Sequence, residues 1–313
     1  MPANQSRDKK SVNLAHPRYL GTWLAIGIAH VLARLPYSLG QKIGLWVGQR
    51  LRASKKPLHV ASTNISRSFP DLDSSERNDL VTRFFRHQGL DLFETMVIWC
   101  RNGQHLVQDV DIKGMQHLTA ALSQNKGIIL MSSHFGNVDM SAMLMSWIGR
   151  QHGLFSFSAT YREQPNPVLD RFMTQGRGQY FDKLIAVDNM RQVARDLKSG
   201  QIVWYAPDMN VDKKNSVFVP FMGIPASTTT AISRLAKLSD AIVLPYAHYR
   251  LPGKYKYRVN ILPPLSNFPS NDVIADTARI NNFVEDLVKQ HPEKYWWILR
   301  RFKTRPAGEP SFY

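Results

Sequence analysis

Three short apolar runs, each preceded by a helical pattern, constrain the fold of this chain more than any other feature. The runs are Ile128–Met131, Ile202–Ala206 and Ala241–Pro245. The helical patterns cover Met115–Gln124, Met190–Lys198 and Ser227–Leu238. Short strands buried on both faces and alternating with helices are typical of α/β proteins. With Tyr255–Leu262 as a later alternating strand, the sequence predicts an α/β fold in which helices flank a mixed central sheet.

Helices are predicted to dominate the first hundred residues. The clearest is Ser74–Arg101, where Asp73 is a good N-cap, Glu76 follows three residues later, and apolar residues recur at helical intervals. No linker or internal repeat divides the chain after this point. We therefore expect an N-terminal segment, 1–41, followed by one domain over 42–313.

The N-terminal segment contains a candidate membrane-anchoring helix at about 19–35. Tyr19–Ala33 holds no Lys, Arg, Asp or Glu, and Arg18 and Arg34 flank it. As a helix it is about 22 Å long at about 1.5 Å per residue, against about 30 Å of hydrocarbon, so a thin span and an interfacial helix both stay open. A buried core helix is the alternative. Basic residues downstream predict that the body lies on the cytoplasmic side.

Two faces of this helix differ in side-chain size. One carries large apolar residues and could contact acyl chains, and the other carries small residues that could receive a second helix. The large residues are Leu20, Leu24, Ile28, Val31 and Leu35; the small ones are Gly21, Ala25, Ala29 and Ala33.

The charge balance predicts an anionic partner. Lys and Arg number 40 against 24 Asp and Glu, a net charge of +16. Nucleic acid, anionic lipid and acidic carrier proteins all qualify. No stacking-aromatic RNA motif or zinc-finger spacing is present, so no nucleic-acid partner is predicted. A non-enzymatic protein that binds anionic surfaces is a second hypothesis.

The chemistry-bearing motif is H-x-x-x-x-D, formed by His134 and Asp139 at the end of the first apolar run. Residues five apart diverge by about 140° on one helix, but they can meet across a strand-to-helix turn. Gly136 permits that turn and Asn137 can cap the helix. A carboxylate bonded to the imidazole would fix its tautomer and make it a general base. The alternative is that both residues are only polar ends of a strand and a helix.

Other catalytic chemistries have weaker signals. Ser132 or Ser133 beside His134 could serve a serine or thioester hydrolase, but the sequence lacks G-x-S-x-G. No third His or Cys stands at usual ligand spacing, so neither a metal nor another cofactor is predicted. One Cys in the chain excludes an intramolecular disulfide.

The surroundings of the motif resemble the late acyltransferases of lipid A biosynthesis, the lauroyl and myristoyl transferases of the bacterial inner membrane. The matching blocks follow one order along nearly the whole chain. They are Asn64–Pro70, Ser133–Asn137, Tyr161–Arg162 with Asn166–Pro167, Trp204–Asp208, Ser216–Phe221 with Thr228–Thr230, and Arg300–Pro306.

This resemblance implies an acyltransferase domain on the cytoplasmic face of the inner membrane. The implied donor is an acyl carrier protein thioester, and the acceptor is a hydroxyl of a Kdo-bearing, phosphorylated lipid A precursor. His134 would be the catalytic base and Asp139 its partner, where many members carry Glu. Another glycolipid or an aminolipid is the alternative acceptor. Acyl length, acceptor position and oligomeric state have no visible signal in the sequence.

Four further residues are predicted to bind substrate on the strength of the same blocks: Arg162, Asn166, Asp208 and Thr228. Structural roles compete with three of them. Arg162 could pair with Asp170 or Asp182, Asp208 could cap a turn, and Thr228 could begin a helix.

Overall fold

The computed structural model describes residues 13–107, 109–153, 157–253 and 256–313. Its helices are α1 Leu20–Leu32, α2 Tyr37–Ala53, α3 Lys55–Ser68, α4 Ser74–Arg101, α5 Met115–Leu122, α6 Val138–Gln151, α7 Pro167–Arg177, α8 Met190–Lys198, α9 Ala231–Ser239 and α10 Val273–Gln290. Its strands are β1 Asp109–Lys113, β2 Ile128–Met131, β3 Phe157–Tyr161, β4 Lys183–Ala186, β5 Ile202–Tyr205, β6 Ser216–Phe221, β7 Ile224–Thr229, β8 Ile242–Arg250 and β9 Lys256–Ile261.

The central sheet has seven strands in the order β1-β9-β8-β2-β5-β3-β4. The strands from β8 to β4 run parallel to one another, whereas β9 is antiparallel to β8. Both β2 and β5 are buried along their full length because helices cover the two faces of the sheet. The predicted mixed sheet flanked by helices is therefore confirmed.

Individual elements follow the predicted pattern with one clear exception. Helix α4 has the predicted bounds, and Asp73 and Glu76 form a reciprocal capping box at its start. The helix predicted from Ser227 was wrong at its beginning, because Ile224–Thr229 instead pairs with β6 as a hairpin. Consecutive threonines suit a strand, and α9 starts only after Thr230. Tyr255, the first residue of the predicted last strand, lies outside the described residues.

Helix α1 is shorter than the predicted anchor, and residues 1–12 of the predicted N-terminal segment lie outside the described range. Ile26 and Ala29 are buried, and Asn166 at the start of α7 donates to Thr22. The large-residue face stays exposed, with Leu20 at 71% and Leu24 at 64%. Among the described helices, none combines the length and hydropathy needed to cross a membrane. The structure therefore does not support the prediction that this helix spans a membrane.

Helices α2 and α4 approach each other through glycines, which fixes the position of α4 beside the sheet. A Cβ added at Gly48 would lie 2.2 Å from the carbonyl oxygen of Phe85, and one at Gly89 would lie 1.9 Å from that of Gly44. No side chain fits at these crossing points. Helix α4 matters for function because its later turns, around Thr95 and Trp99, form part of the wall of a cavity beside His134.

Candidate active site

The carboxyl ends of two adjacent strands bring together residues that are far apart in sequence. Strands β2 and β5 are parallel neighbours, and Met131 at the end of β2 lies opposite Tyr205 at the end of β5. His134 and Asp208 each follow three residues after these paired positions. Functional groups of α/β sheets gather at this edge. The two residues meet there.

His134 is bound twice by the Asp208 carboxylate. Its Nδ1 lies 2.8 Å from Asp208 Oδ1, and its backbone N–H donates to Asp208 Oδ2 at 2.9 Å. The Asp208 side chain is only 2% exposed, whereas that of His134 is 14% exposed and borders the cavity. Asp208, predicted to bind substrate, is therefore the residue that orients His134.

The electrostatics of this pair favour an ionised Asp208. Burial raises the pKa of Asp208, but the interaction with His134, which includes two hydrogen bonds, and the charge of Arg301 outweigh burial and hold that pKa below its ordinary value. An ionised carboxylate can only accept, so the Nδ1 of His134 carries the hydrogen. The other ring nitrogen, Nε2, is left as the proton acceptor.

Asp139 does not take the predicted place beside the imidazole. Gly136 adopts a φ of 63° and Asn137 caps α6, as the sequence predicted for this corner. The Asp139 carboxylate, however, accepts from Arg177 Nε at 2.9 Å, from Trp99 Nε1 at 3.0 Å, and from the Tyr180 hydroxyl. The prediction that Asp139 orients His134 is thus corrected. Asp139 lies in the first turn of α6, and its side chain is directed to Trp99 of α4 and Arg177 of α7.

The Asp139–Arg177 pair is a largely buried ion pair on the cavity wall, with side chains 10% and 21% exposed. Burial raises the pKa of Asp139, but the Arg177 charge and the donated hydrogen bonds bring it below its ordinary value. The same pairing raises the pKa of Arg177 against the effect of burial. Arg177 also lies over the Trp99 ring, with its guanidinium carbon 5.8 Å from the ring centroid. Asp139 therefore fixes a cation at the cavity.

A cavity of about 530 Å³ opens beside His134, within the size range of ligand pockets. Its wall is mostly apolar, with His134, Asp139, Arg162 and Arg177 among the polar residues that border it. The apolar residues include Leu169, Met173, Phe181, Leu184, Val187, Trp204 and Met209. An acyl chain next to a proton acceptor fits such a lining.

Of the remaining predicted site residues, one borders the cavity and two make hydrogen bonds within the fold. Arg162 borders the cavity and is exposed at its mouth. Asn166 instead caps α7, accepting from Val168 N–H at 3.0 Å. Thr228 is fully buried in β7, and its hydroxyl accepts from Arg301 at 2.7 Å. The side chains of Asn166 and Thr228 are therefore engaged in holding the fold, and neither borders this cavity, so their binding of substrate stays a prediction.

The alternative nucleophiles are out of reach of the cavity. Ser132 and Ser133 are 2% and 1% exposed, and neither borders it. Within the described ranges, no three His, Cys, Asp or Glu side chains cluster closely enough to hold a metal ion.

Several contacts of the site have no signal in the sequence. Arg177, Tyr180 and Trp99 converge on Asp139, and Trp296 stacks on His134. The role of Asp208 had a clearer signal, since its block follows a predicted buried strand just as that of His134 does.

The fold and site define an α/β enzyme that presents a carboxylate-oriented imidazole to an apolar cavity. The model of the family described as bacterial lipid A biosynthesis acyltransferase matches residues 7–304. The chain belongs to this family and is an acyltransferase. This membership favours an enzyme over the hypothesis of a non-enzymatic binding protein.

Near full-length relatives support the same assignment. The chain is 33% identical over 308 residues to an Escherichia coli lipid A biosynthesis lauroyltransferase, covering 97% of this chain and 98% of the relative. An E. coli palmitoleoyltransferase of the same biosynthesis is 32% identical over 308 residues, with the same coverage. An E. coli myristoyltransferase is 28% identical over 305 residues, covering 95% and 91%.

Proposed function

We propose that this chain transfers a fatty acyl group from an acyl carrier protein thioester to a hydroxyl of a lipid A precursor, with His134 as general base and Asp208 as its partner. The observation that carries the mechanism is the double contact of Asp208 with His134 beside the apolar cavity. A fixed Nδ1–H tautomer leaves Nε2 ready to accept the hydroxyl proton.

The reaction balances with the groups at the site. As Nε2 of His134 takes the proton, the hydroxyl oxygen attacks the thioester carbonyl carbon and forms the ester bond. The carbon–sulfur bond then breaks and the electron pair leaves on sulfur. The imidazolium returns its proton to the thiolate, which regenerates the neutral base. Asp208 stabilises the imidazolium between these steps.

The cavity and the charge support this choice of substrates. The apolar wall suits the acyl chain, and Arg162 and Arg177 provide cations for a phosphate or for the negative charge that develops on the carbonyl oxygen. The net charge of +16 would attract an acidic carrier protein and a phosphorylated lipid. The names of the relatives support lipid A biosynthesis as the setting.

We further propose that the exposed face of α1 attaches the protein to the cytoplasmic surface of the bacterial inner membrane. Leu20, Leu24, Ile28 and Val31 are each at least half exposed on this face. Helix α1 also contacts α7, which borders the cavity through Leu169, Met173 and Arg177. Insertion of this face among lipids would bring the cavity close to a membrane-bound acceptor.

Transfer from lauroyl-acyl carrier protein to a Kdo-bearing lipid A precursor tests the function directly. We expect mass spectrometry to detect a precursor heavier by one acyl group with the wild-type chain. H134Q should reduce the rate by about 10²- to 10⁴-fold while leaving the fold intact. Undiminished transfer by H134Q would overturn the assigned base, and transfer only to another glycolipid or an aminolipid would overturn the acceptor.

A further inference from the structure

The C-terminal segment from Lys294 to Trp297 forms part of the support of His134. The Trp296 N–H donates to the His134 carbonyl oxygen at 2.9 Å, and the Gly136 N–H donates to the Lys294 carbonyl oxygen at 2.7 Å. Phe135 and Tyr295 are the residues of this antiparallel bridge. The loop that carries His134 is thus paired with a segment about 160 residues later in the chain.

Trp296 covers one face of the imidazole. The two ring centroids are 5.4 Å apart and the ring planes differ by 17°, which is an offset stack. Trp296 is half-buried and borders the same cavity. Asp208 binds the edge of the imidazole while Trp296 occupies its face, so two independent contacts restrict the ring.

We propose that Trp296 is a positioning residue for the reaction, holding the face of the His134 ring and stabilising the imidazolium that forms during acyl transfer. The indole face is electron-rich, so it attracts a cationic ring more than a neutral one. This inference rests on the proposed role of His134 and goes beyond it. It gives the tryptophan a role in the proton transfer in addition to its place in the cavity wall.

Trp297 offers a matched control within the same segment. It is 1% exposed, its Nε1 donates to the Pro292 carbonyl oxygen at 2.7 Å, and its ring meets Tyr295 and Phe69 edge-on. Truncating Trp297 disturbs the core without removing the ring that faces His134. Comparison of the two positions therefore separates a general loss of packing from loss of the stack.

Substitutions at Trp296 or Trp297 leave the other charged and titratable residues near the imidazole unchanged. Asp208 binds Nδ1, and Tyr295 and Arg301 act on Asp208. The groups that border the cavity with His134 are Asp91, Asp139, Tyr161, Arg162, Arg177 and Tyr205, and His248 lies behind Gly136. A difference in pH dependence between variants is then attributable to the stacked ring.

The test is the pH profile of acyl transfer for W296L, W296F and W297F, with folding checked by circular dichroism. Loss of the stack in W296L should lower kcat by about 2- to 30-fold and move the acidic limb of the profile about half a pH unit to lower pH. W296F, which keeps a less electron-rich ring, should shift the limb less in the same direction. W297F should lower the melting temperature but leave the limb in place.

Two outcomes overturn the inference. One is a rise in KM for W296L and W296F with no movement of the acidic limb, which would make Trp296 only a cavity wall. The other is an equal shift in W297F. If W296L does not fold, W296F alone decides the matter by the position of its limb. H134Q is measured in parallel to separate failure of the Trp296 proposal from failure of the proposed function. An active H134Q would overturn the proposed function, whereas an inactive H134Q would confine the failure to the role of Trp296.

Discussion

The imidazole of His134 and the carboxylate of Asp208 are 74 residues apart in sequence and 2.8 Å apart in the fold. Their meeting depends on the pairing of β2 with β5, whose last residues lie opposite each other. Neither residue could hold this position through local sequence alone. The order of the strands in the sheet therefore creates the site. Substitutions at His134 and at Asp208 should impair the same function, and their effects should not add.

Attachment through α1 predicts that two charges on its exposed face release the protein from membranes. L24E/I28E should reduce binding to vesicles of phosphatidylethanolamine and phosphatidylglycerol at least tenfold in a sedimentation assay, because glutamates oppose insertion of the apolar face. Leu238 on α9 is equally exposed, at 62% against 64% for Leu24, so L238E is the matched control. Equal loss with L238E, or undiminished binding of L24E/I28E, would contradict the assignment of this face.

The buried pair of Asp139 and Arg177 predicts strong coupling in stability. Breaking a buried pair from one side costs about 3–5 kcal/mol, because the remaining charge has no partner. D139N and R177Q should each lower the free energy of unfolding substantially, and the double variant should lower it by at least about 1 kcal/mol less than their sum. Urea unfolding of the wild type, the two single variants and the double variant measures this coupling.

The exposed pair of Arg83 and Asp79 provides the comparison, with side chains 47% and 66% exposed. Its coupling should be no more than about 0.5 kcal/mol. Additive effects of D139N and R177Q would show that the ion pair has no special role in the cavity wall.

One buried and one half-buried histidine predict a loss of stability in acid. Burial, helped by the Arg250 charge, lowers the pKa of His248 to about 3 and that of His87 to about 4. Unfolded histidine binds a proton near pH 6.5, so from there down to the folded pKa the unfolded chain holds more protons and stability falls. Burial raises the pKa of Asp91 to about 6, so below that pH its effect on stability is opposite to that of the histidines.

H248Q isolates the contribution of one histidine. Between pH 7 and pH 5 the wild-type chain should lose about 2 kcal/mol more unfolding free energy than H248Q. Chemical unfolding at the two pH values measures the difference, with H59Q at an exposed position as control. An identical pH dependence in H248Q and wild type would be incompatible with a neutral, buried His248.

The close contact of α2 and α4 predicts opposite effects of alanine at two glycines. G48A places a Cβ 2.2 Å from the Phe85 carbonyl oxygen and should destabilise the chain by about 1–3 kcal/mol through forced separation of the helices. G27A on α1, where no neighbour lies within 4 Å of the added Cβ, should be neutral or stabilising because alanine favours helix. Thermal melts compare the two variants. An unchanged melting temperature for G48A would refute the close contact of α2 and α4.

Local signals in the sequence predicted the elements of the site but not how they pair. The apolar run before His134 and the glycine and asparagine after it predict a strand, a turn and a capped helix, and these are present. Which carboxylate reaches the imidazole depends on β5 being the neighbour of β2, and spacing along the chain carries no such information. Spacing along the chain therefore favours the nearby Asp139 over Asp208 as the partner of His134.

Two further differences have equally physical causes. A run containing Thr228 can begin a helix or form a strand, and the pairing partner β6 decides for the strand. An uncharged run such as that of α1 can enter a bilayer or pack on protein. Here one face packs on the domain and the opposite face is exposed. Such choices depend on contacts between distant segments.

The most direct measurement is single-turnover acyl transfer from lauroyl-acyl carrier protein to the lipid A precursor by D208N, H134Q and the double variant. D208N keeps the size of the side chain but removes the charge that fixes the tautomer of His134, so the rate should fall by about 10²- to 10⁴-fold. In the proposed mechanism the two residues act as one base, so the double variant should be little slower than H134Q alone. A D208N enzyme with the wild-type rate, or losses that multiply in the double variant, would contradict the His134–Asp208 base.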